Sequence, residues 1–220
     1  MSSIAQTPEE IRNIIRRQTD REIRIIAVTK TRTPEQVLKA IEAGITDIGE
    51  NRLQEAQTKI DQLPKEIIKH FIGHLQTNKV REVVALFNMI QSVDSLKLAQ
   101  KIDAECEKVG KIMPVLIEVN TSNEPQKSGV ALTEATVLIR TISQLAHVRV
   151  EGLMTVAVHS EDEERVRSCF RALKNLFDEI ATKSIPNVEM KWLSMGMSED
   201  YTIAIEEGAN MVRIGRGIFE

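Results

Sequence analysis

Three groups of residues carry most of the chemistry open to this sequence. Lys30 follows the apolar run Ile25-Ile26-Ala27-Val28 and stands just before a helix-start signal at Thr33. Apolar surroundings disfavour an ammonium ion, and an amine without its extra proton attacks an aldehyde. A solvated lysine fits the same position, since most lysines are exposed. Further along, Trp192-Leu193-Ser194-Met195-Gly196-Met197-Ser198-Glu199-Asp200 closes another apolar run. Gly196 there permits close backbone approach, and Ser198 is placed as the N-cap of a helix from Tyr201 to Glu207. Free N–H groups at such a helix start, with a hydroxyl beside them, form a site for an anion. The third group, Arg213-Ile214-Gly215-Arg216-Gly217, is a small-residue turn that also leaves N–H groups available. Glu199 and Asp200 oppose an anion unless they turn outward, as first-turn acids normally do. A capped helix and a structural glycine turn would explain either loop taken singly.

A lysine that traps an aldehyde and two loops that cradle a phosphate together describe a pocket for pyridoxal phosphate. Arg213 is then placed to face the pyridine nitrogen. An arginine keeps its proton, so it disfavours protonation of that nitrogen and weakens the cofactor as an electron sink.

The elements that must position these residues follow from periodicity. Eight short apolar runs alternate with stretches of helical period: Ile25 to Thr29, Thr46 to Ile48, His70 to Ile72, Met89 to Val93, Met113 to Val119, Val148 to Val156, Glu189 to Ser194 and Met211 to Ile214. Thr7, Thr33 and Ser160 head helix-start patterns, and Gly44, Gly110 and Gly208 stand where helices should stop. Eight βα repeats without a linker predict an α/β fold, a closed (β/α)8 TIM barrel, with an open doubly wound sheet as the alternative. The dinucleotide fingerprint G-x-G-x-x-G that would favour the open sheet is missing after the first strand, which runs into Val28-Thr29-Lys30-Thr31-Arg32. Barrel chemistry sits at the C-terminal ends of strands, and phosphate sites are often built by the loops after strands seven and eight. No helix is expected after the last strand, so an extra N-terminal helix would take the place of the eighth.

Composition narrows the class of partner. The chain has 220 residues, 42% hydrophobic and only 3% aromatic, so the core must be aliphatic and a base-stacking surface is not expected. Its formal net charge, 29 − 32 = −3, argues against nucleic acid and anionic membrane surfaces. The longest uncharged stretch, Val83 to Val93, is 11 residues, too short to span a bilayer, and no signal pattern opens the chain. A cytoplasmic protein with two ordinary buried or half-buried thiols, Cys106 and Cys169, is expected. His70, His74, His147 and His159 lack metal-binding spacing, so no metal is expected. Without further information Glu50-Asn51-Arg52 is a solvated helix start, Glu161 to Arg167 is the outer face of a helix, and Lys127 is either solvated or folded over the pocket.

The sequence also resembles a known family, the pyridoxal phosphate homeostasis proteins, single-barrel relatives of the alanine racemase N-terminal domain. The resemblance lies in Ala27-Val28-Thr29-Lys30, Ile48-Gly49-Glu50-Asn51-Arg52 with Gln54-Glu55, and His70-Phe71-Ile72-Gly73-His74-Leu75-Gln76 with Asn78-Lys79. It continues through Val119-Asn120, Glu124 and Lys127-Ser128-Gly129, Gly152-Leu153-Met154-Thr155, Leu193 to Ser198 with Asp200, and Met211-Val212-Arg213-Ile214-Gly215. It implies an internal aldimine at Lys30, phosphate held by Ser198 and the backbone of Gly215 and Arg216, and Arg213 at the pyridine nitrogen. It further implies Asn51 near the ring edge and Met195 against a ring face. Arg216 stands where many relatives have threonine, so either its guanidinium or its backbone alone would serve the phosphate. Glu220 stands where relatives usually have glycine, which bears on the last turn.

These readings predict one pyridoxal phosphate-binding domain over residues 1–220, a monomer without catalytic residues that buffers the cofactor or delivers it to apo-enzymes. Alanine racemase chemistry needs a second proton donor from the tyrosine of a separate β-domain; here the one tyrosine is Tyr201, and no β-domain is expected after residue 220. The alternatives are a low-activity pyridoxal phosphate-dependent racemase or lyase, with water or Lys127 as second base, and a cofactor-free aldolase in which Lys30 attacks a sugar phosphate.

Overall fold

The computed structural model describes residues 7–122 and 124–219; the expectation attached to Glu220 lies outside the described residues. The strands are β1 (Arg24–Val28), β2 (Asp47–Glu50), β3 (Ile68–Phe71), β4 (Met89–Val93), β5 (Met113–Asn120), β6 (Val130–Ala131), β7 (Val148–Met154), β8 (Val188–Ser194) and β9 (Met211–Ile214). The eight expected runs correspond to all of these except β6. Neighbouring strands are parallel, β1 pairs with both β2 and β9, and β4 pairs with β5, so the sheet closes into an eight-stranded barrel. β6 pairs with the C-terminal end of β5, outside the closed ring.

The helices are α1 (Pro8–Gln18), α2 (Pro34–Glu42), α3 (Leu53–Gln57), α4 (Val80–Leu86), α5 (Leu96–Val109), α6 (Leu132–Ile142), α7 (Glu163–Ala181), α8 (Tyr201–Glu206) and α9 (Arg216–Phe219). Local signals start several of them as expected. Thr7 and Thr33 each close a reciprocal capping box with the residue three places on, and both helices have proline in the first turn. Gly44, Gly110 and Gly208 all have positive φ where the helices end. α7 differs: its cap is Asp162, whose carboxylate accepts the N–H groups of Glu164 and Arg165, while the Ser160 hydroxyl accepts from Asp162. The last strand also differs, because the short α9 follows it. α1 packs against α8 and buries Ile11 and Ile15.

Burial follows the pleat of the strands. One face of each strand packs on the helices, and most of the aliphatic core lies there. Inside the barrel is a small apolar layer of Ile26, Met89, Leu116, Met154 and Met211. The rest of the interior is polar, with Asp47, His70, Gln91, Ser194 and Arg213 all buried. Buried polar groups need internal partners, and those partners shape the site. Cys106 and Cys169 are buried free thiols, and burial pushes Cys106 up to about 11. Among the described residues no helix is long and apolar enough to cross a membrane, and no cluster of His, Cys, Asp and Glu could hold a metal ion.

Candidate functional site

A cavity of about 270 Å3 opens at the C-terminal end of the barrel between the loops after β1, β7, β8 and β9. Lys30, Lys127, Ser198, Arg213 and Gly215 all line it. Lys30 is exposed at its rim, so the apolar wall anticipated from β1 is Val28 in the lining and does not enclose the amine.

The backbone around Lys30 is held from both sides. On one side Thr29 is fully buried, its hydroxyl bonded to Glu50 and its carbonyl accepting from Lys59 Nζ at 2.6 Å. Lys59 also pairs with Glu50 at 2.8 Å, and both side chains are out of solvent. On the other side Thr31 adopts φ 61° and donates its N–H to Glu55 Oε2 at 2.9 Å. A threonine rarely takes that conformation, so the surroundings must hold it. Glu50 is therefore not the solvated helix start that its polarity suggests. Its partner Lys59 lies on the turn after α3, a pairing that no local sequence signal marks.

Across the cavity, Ser198 does not cap α8. The N-cap there is Asp200, whose carboxylate turns back to accept the Met197 N–H at 2.6 Å. The Ser198 hydroxyl instead accepts the N–H groups of Gly215 at 3.2 Å and Gly217 at 3.3 Å, joining the loop after β8 to the start of α9. An oxygen acceptor thus already sits where two backbone donors converge. The close approach expected at Gly196 is present: φ is 92°, and a Cβ would lie 2.6 Å from Ala204 Cβ and 2.9 Å from Tyr201 Cα. Glu199 is exposed and pairs with the Arg216 guanidinium at 2.6 Å, which leaves the backbone of residue 216 to serve an anion. α8 is itself braced from α7, where Arg167 bonds Glu206 and Glu207. The charge run from Glu161 to Arg167 is thus more than a solvated face.

Arg213 lies on the floor of the cavity and is 3% exposed. Its Nη1 donates to Ser194 Oγ and its Nη2 to Thr155 O, each at 2.7 Å. Burial pulls the guanidinium down to about 10, against the opposing charges of Asp200 and Glu118, and it remains a cation at neutral pH. Glu118, at the end of β5, is pushed up to about 7, first by burial and then by Asp94, while Arg213 pulls the other way. Asp200 is also raised, chiefly by burial. Composition and spacing gave no sign of Glu118, which is buried because it lies two residues from Leu116 on the face of β5 that points into the barrel.

Lys30, Ser198, Arg213, Gly215 and Arg216 are brought together around one cavity. Asn51 lines a neighbouring cavity at the same end of the barrel, with Arg52, His74 and Lys79, and its buried Oδ1 has no hydrogen-bond partner. Met195 is fully buried in the main core and does not line the central cavity. Lys127 folds over the cavity, where Nζ donates to Ala157 O at 2.9 Å and pairs with Glu124 at 2.6 Å.

Comparison with known proteins places this arrangement. The model of the family described as "Alanine racemase, N-terminal domain" matches residues 5–220. A pyridoxal phosphate homeostasis protein of Vibrio alginolyticus is 38% identical, covering 100% of this chain and 97% of its own length. One from Helicobacter pylori is 38% identical over 90% of this chain and 87% of its own. Among solved structures, PipY of Synechococcus elongatus with PLP bound superposes with a TM-score of 0.84 at 31% identity, covering 94% of this chain and 96% of that one.

Proposed function

Because the chain belongs to the alanine racemase N-terminal domain family, and within it to the pyridoxal phosphate homeostasis proteins, we propose that it binds pyridoxal 5′-phosphate reversibly for intracellular cofactor homeostasis, without a catalytic reaction of its own. The observation that carries this reading is the donor set around one cavity: an accessible amine, convergent backbone N–H groups and a buried guanidinium. When bound, pyridoxal phosphate supplies an aldehyde that condenses reversibly with an amine and a ring that draws electrons.

The residues present fit that group. Lys30 offers the amine for covalent attachment, on a backbone fixed by Glu50, Lys59 and Glu55. Gly215 and Gly217 offer N–H groups already satisfied by one oxygen, so phosphate oxygens would take over or share the Ser198 position. Arg213 stays protonated and would face the ring nitrogen as a donor, which would leave that nitrogen unprotonated.

The same geometry supports binding over catalysis. Tyr201 is buried in α8 and does not line the cavity, and Lys127, the loop candidate for a second base, is engaged by Ala157 and Glu124. We take the functional unit to be one cytoplasmic, monomeric domain of residues 1–220 whose recipients are apo-enzymes. The test compares the absorbance of the cofactor-loaded protein and borohydride trapping in wild type and Lys30→Ala. Lys30→Ala is expected to lose the yellow band and the trapped adduct; an unchanged band would overturn the assignment. Incubation with amino acids in deuterated water should give α-proton exchange no faster than free cofactor, and faster exchange would establish an enzyme.

A further inference from the structure

A chain of buried side chains runs from Arg213 beneath the cavity to the opposite end of the barrel. Arg213 Nη1 is 2.7 Å from Ser194 Oγ, and Ser194 Oγ is 2.7 Å from Gln91 Oε1. Gln91 Nε2 is 3.0 Å from His70 Nδ1, and His70 Nε2 is 2.8 Å from Asp47 Oδ1. Asp47 starts β2, where the Thr46 hydroxyl bonds its other oxygen at 2.7 Å and Arg24, stacked on Trp192, reaches it at 3.5 Å. Each of the five residues in the chain is at most 3% exposed.

With the Gln91 amide oriented as the structure has it, its Nε2 also 3.3 Å from Met211 Sδ, donor and acceptor capacity sets the direction of every link. A guanidinium has no acceptor, so Arg213 must donate to Ser194. The Ser194 hydroxyl donates to Gln91 Oε1, and the Gln91 amide nitrogen faces His70. An amide nitrogen cannot accept, so His70 Nδ1 must carry the lone pair, and the ring proton resides on Nε2, facing the Asp47 carboxylate. An imidazolium would set N–H against N–H at Gln91, so His70 is neutral; burial, the largest influence on it, also favours the neutral ring.

We propose that Ser194, Gln91 and His70 are positioning residues: they form a one-way hydrogen-bond chain that ties the Arg213 guanidinium to Asp47 and so sets where Arg213 meets the bound ring. Running in sense from cation to carboxylate, the chain holds Arg213 Nη1 while Thr155 O holds Nη2, so the guanidinium is fixed at two points. Its role toward the ring rests on the proposed cofactor, but the direction of its links does not.

The test has two separable arms. In the protein without added cofactor, 15N NMR of the histidine rings at neutral pH should show His70 protonated at Nε2 only; protonation at Nδ1, alone or with Nε2, overturns the chain. In the second arm, pyridoxal phosphate labelled with 15N in the ring is bound to wild type, Gln91→Met and Ser194→Ala. The ring-nitrogen resonance and the absorbance maximum should move in both variants, with affinity weaker by about tenfold and Lys30 attachment retained. A lower melting temperature with unchanged ring-nitrogen resonance would reduce these residues to structural support and overturn the proposal. Ser194→Ala removes only a hydroxyl and carries the arm alone should Gln91→Met not fold. Failure of wild type to bind the cofactor at all would refute the proposed function while the histidine tautomer still decides the chain.

Discussion

The two sides of the cavity are held by different physics. Beside Lys30, the end of β1 is pinned by a charged pair with no access to water, Lys59 and Glu50, which shares its hold with Thr29. Across the cavity, the loops after β8 and β9 are joined by one neutral hydroxyl accepting two backbone N–H groups, and the ion pair that also links them, Arg216 with Glu199, lies on the surface. A buried pair resists displacement, because exposing or orphaning either charge is costly. A hydroxyl on backbone donors is readily replaced by another oxygen, since the exchange keeps the hydrogen-bond count. Under the proposed function, the difference would let one pocket fix a covalent anchor at Lys30 yet leave a phosphate free to arrive and depart.

Breaking the amine side should have the largest effect. Lys59→Met strands Glu50 in the interior and is expected to cost ~3–5 kcal/mol, a fall of roughly 10 °C in melting temperature, readable by calorimetry. Lys59→Met combined with Glu50→Leu should recover a good part of that loss, because no buried charge remains unpaired; a double variant as unstable as the single one would contradict the account.

The interior carboxylate between the two sides gives a pH-dependent test. Glu118 has a native pKa raised from 4.5 to about 7, so the native state holds a proton that the unfolded chain has lost. Its contribution is therefore favourable at low pH and is lost as pH rises from about 4.5 to about 7, levelling off above. Glu118→Gln should raise the melting temperature relative to wild type at pH 8 and bring the two together near pH 4. A difference independent of pH would show that the Glu118 carboxyl is not held protonated.

On the anion side the effects are smaller. Ser198→Ala removes the acceptor for two N–H groups and is expected to cost about 1 kcal/mol of stability and to weaken cofactor binding about tenfold, measured by spectrophotometric titration. Smallest of all, Arg216→Ala should shift the melting temperature by less than about 2 °C and leave cofactor affinity within about twofold, because its guanidinium is spent on an exposed glutamate. A large loss of affinity in that variant would mean that the guanidinium swings inward onto the phosphate.

What the sequence determined by itself was what local physics can write. Alternation of apolar runs with helical periods specified the barrel strands, proline with capping boxes at Thr7 and Thr33 started helices, and glycines of positive φ ended them. Strand ends then placed Lys30, Arg213 and Gly215 at the same end of the barrel. The tertiary structure alone decided which polar groups meet. Ser198 serves Gly215 and Gly217 in place of its own helix, Asp162 displaces Ser160 as a cap, and Glu50 becomes a buried ion with Lys59. Ser194 finds Gln91 across 103 residues of chain, and His70 becomes a link between strands where its spacing suggested nothing. A cap or a period depends on residues a few places apart, and so is legible in order along the chain. A buried donor chooses its acceptor only after the barrel has closed and water has gone, and that choice is made by position in space.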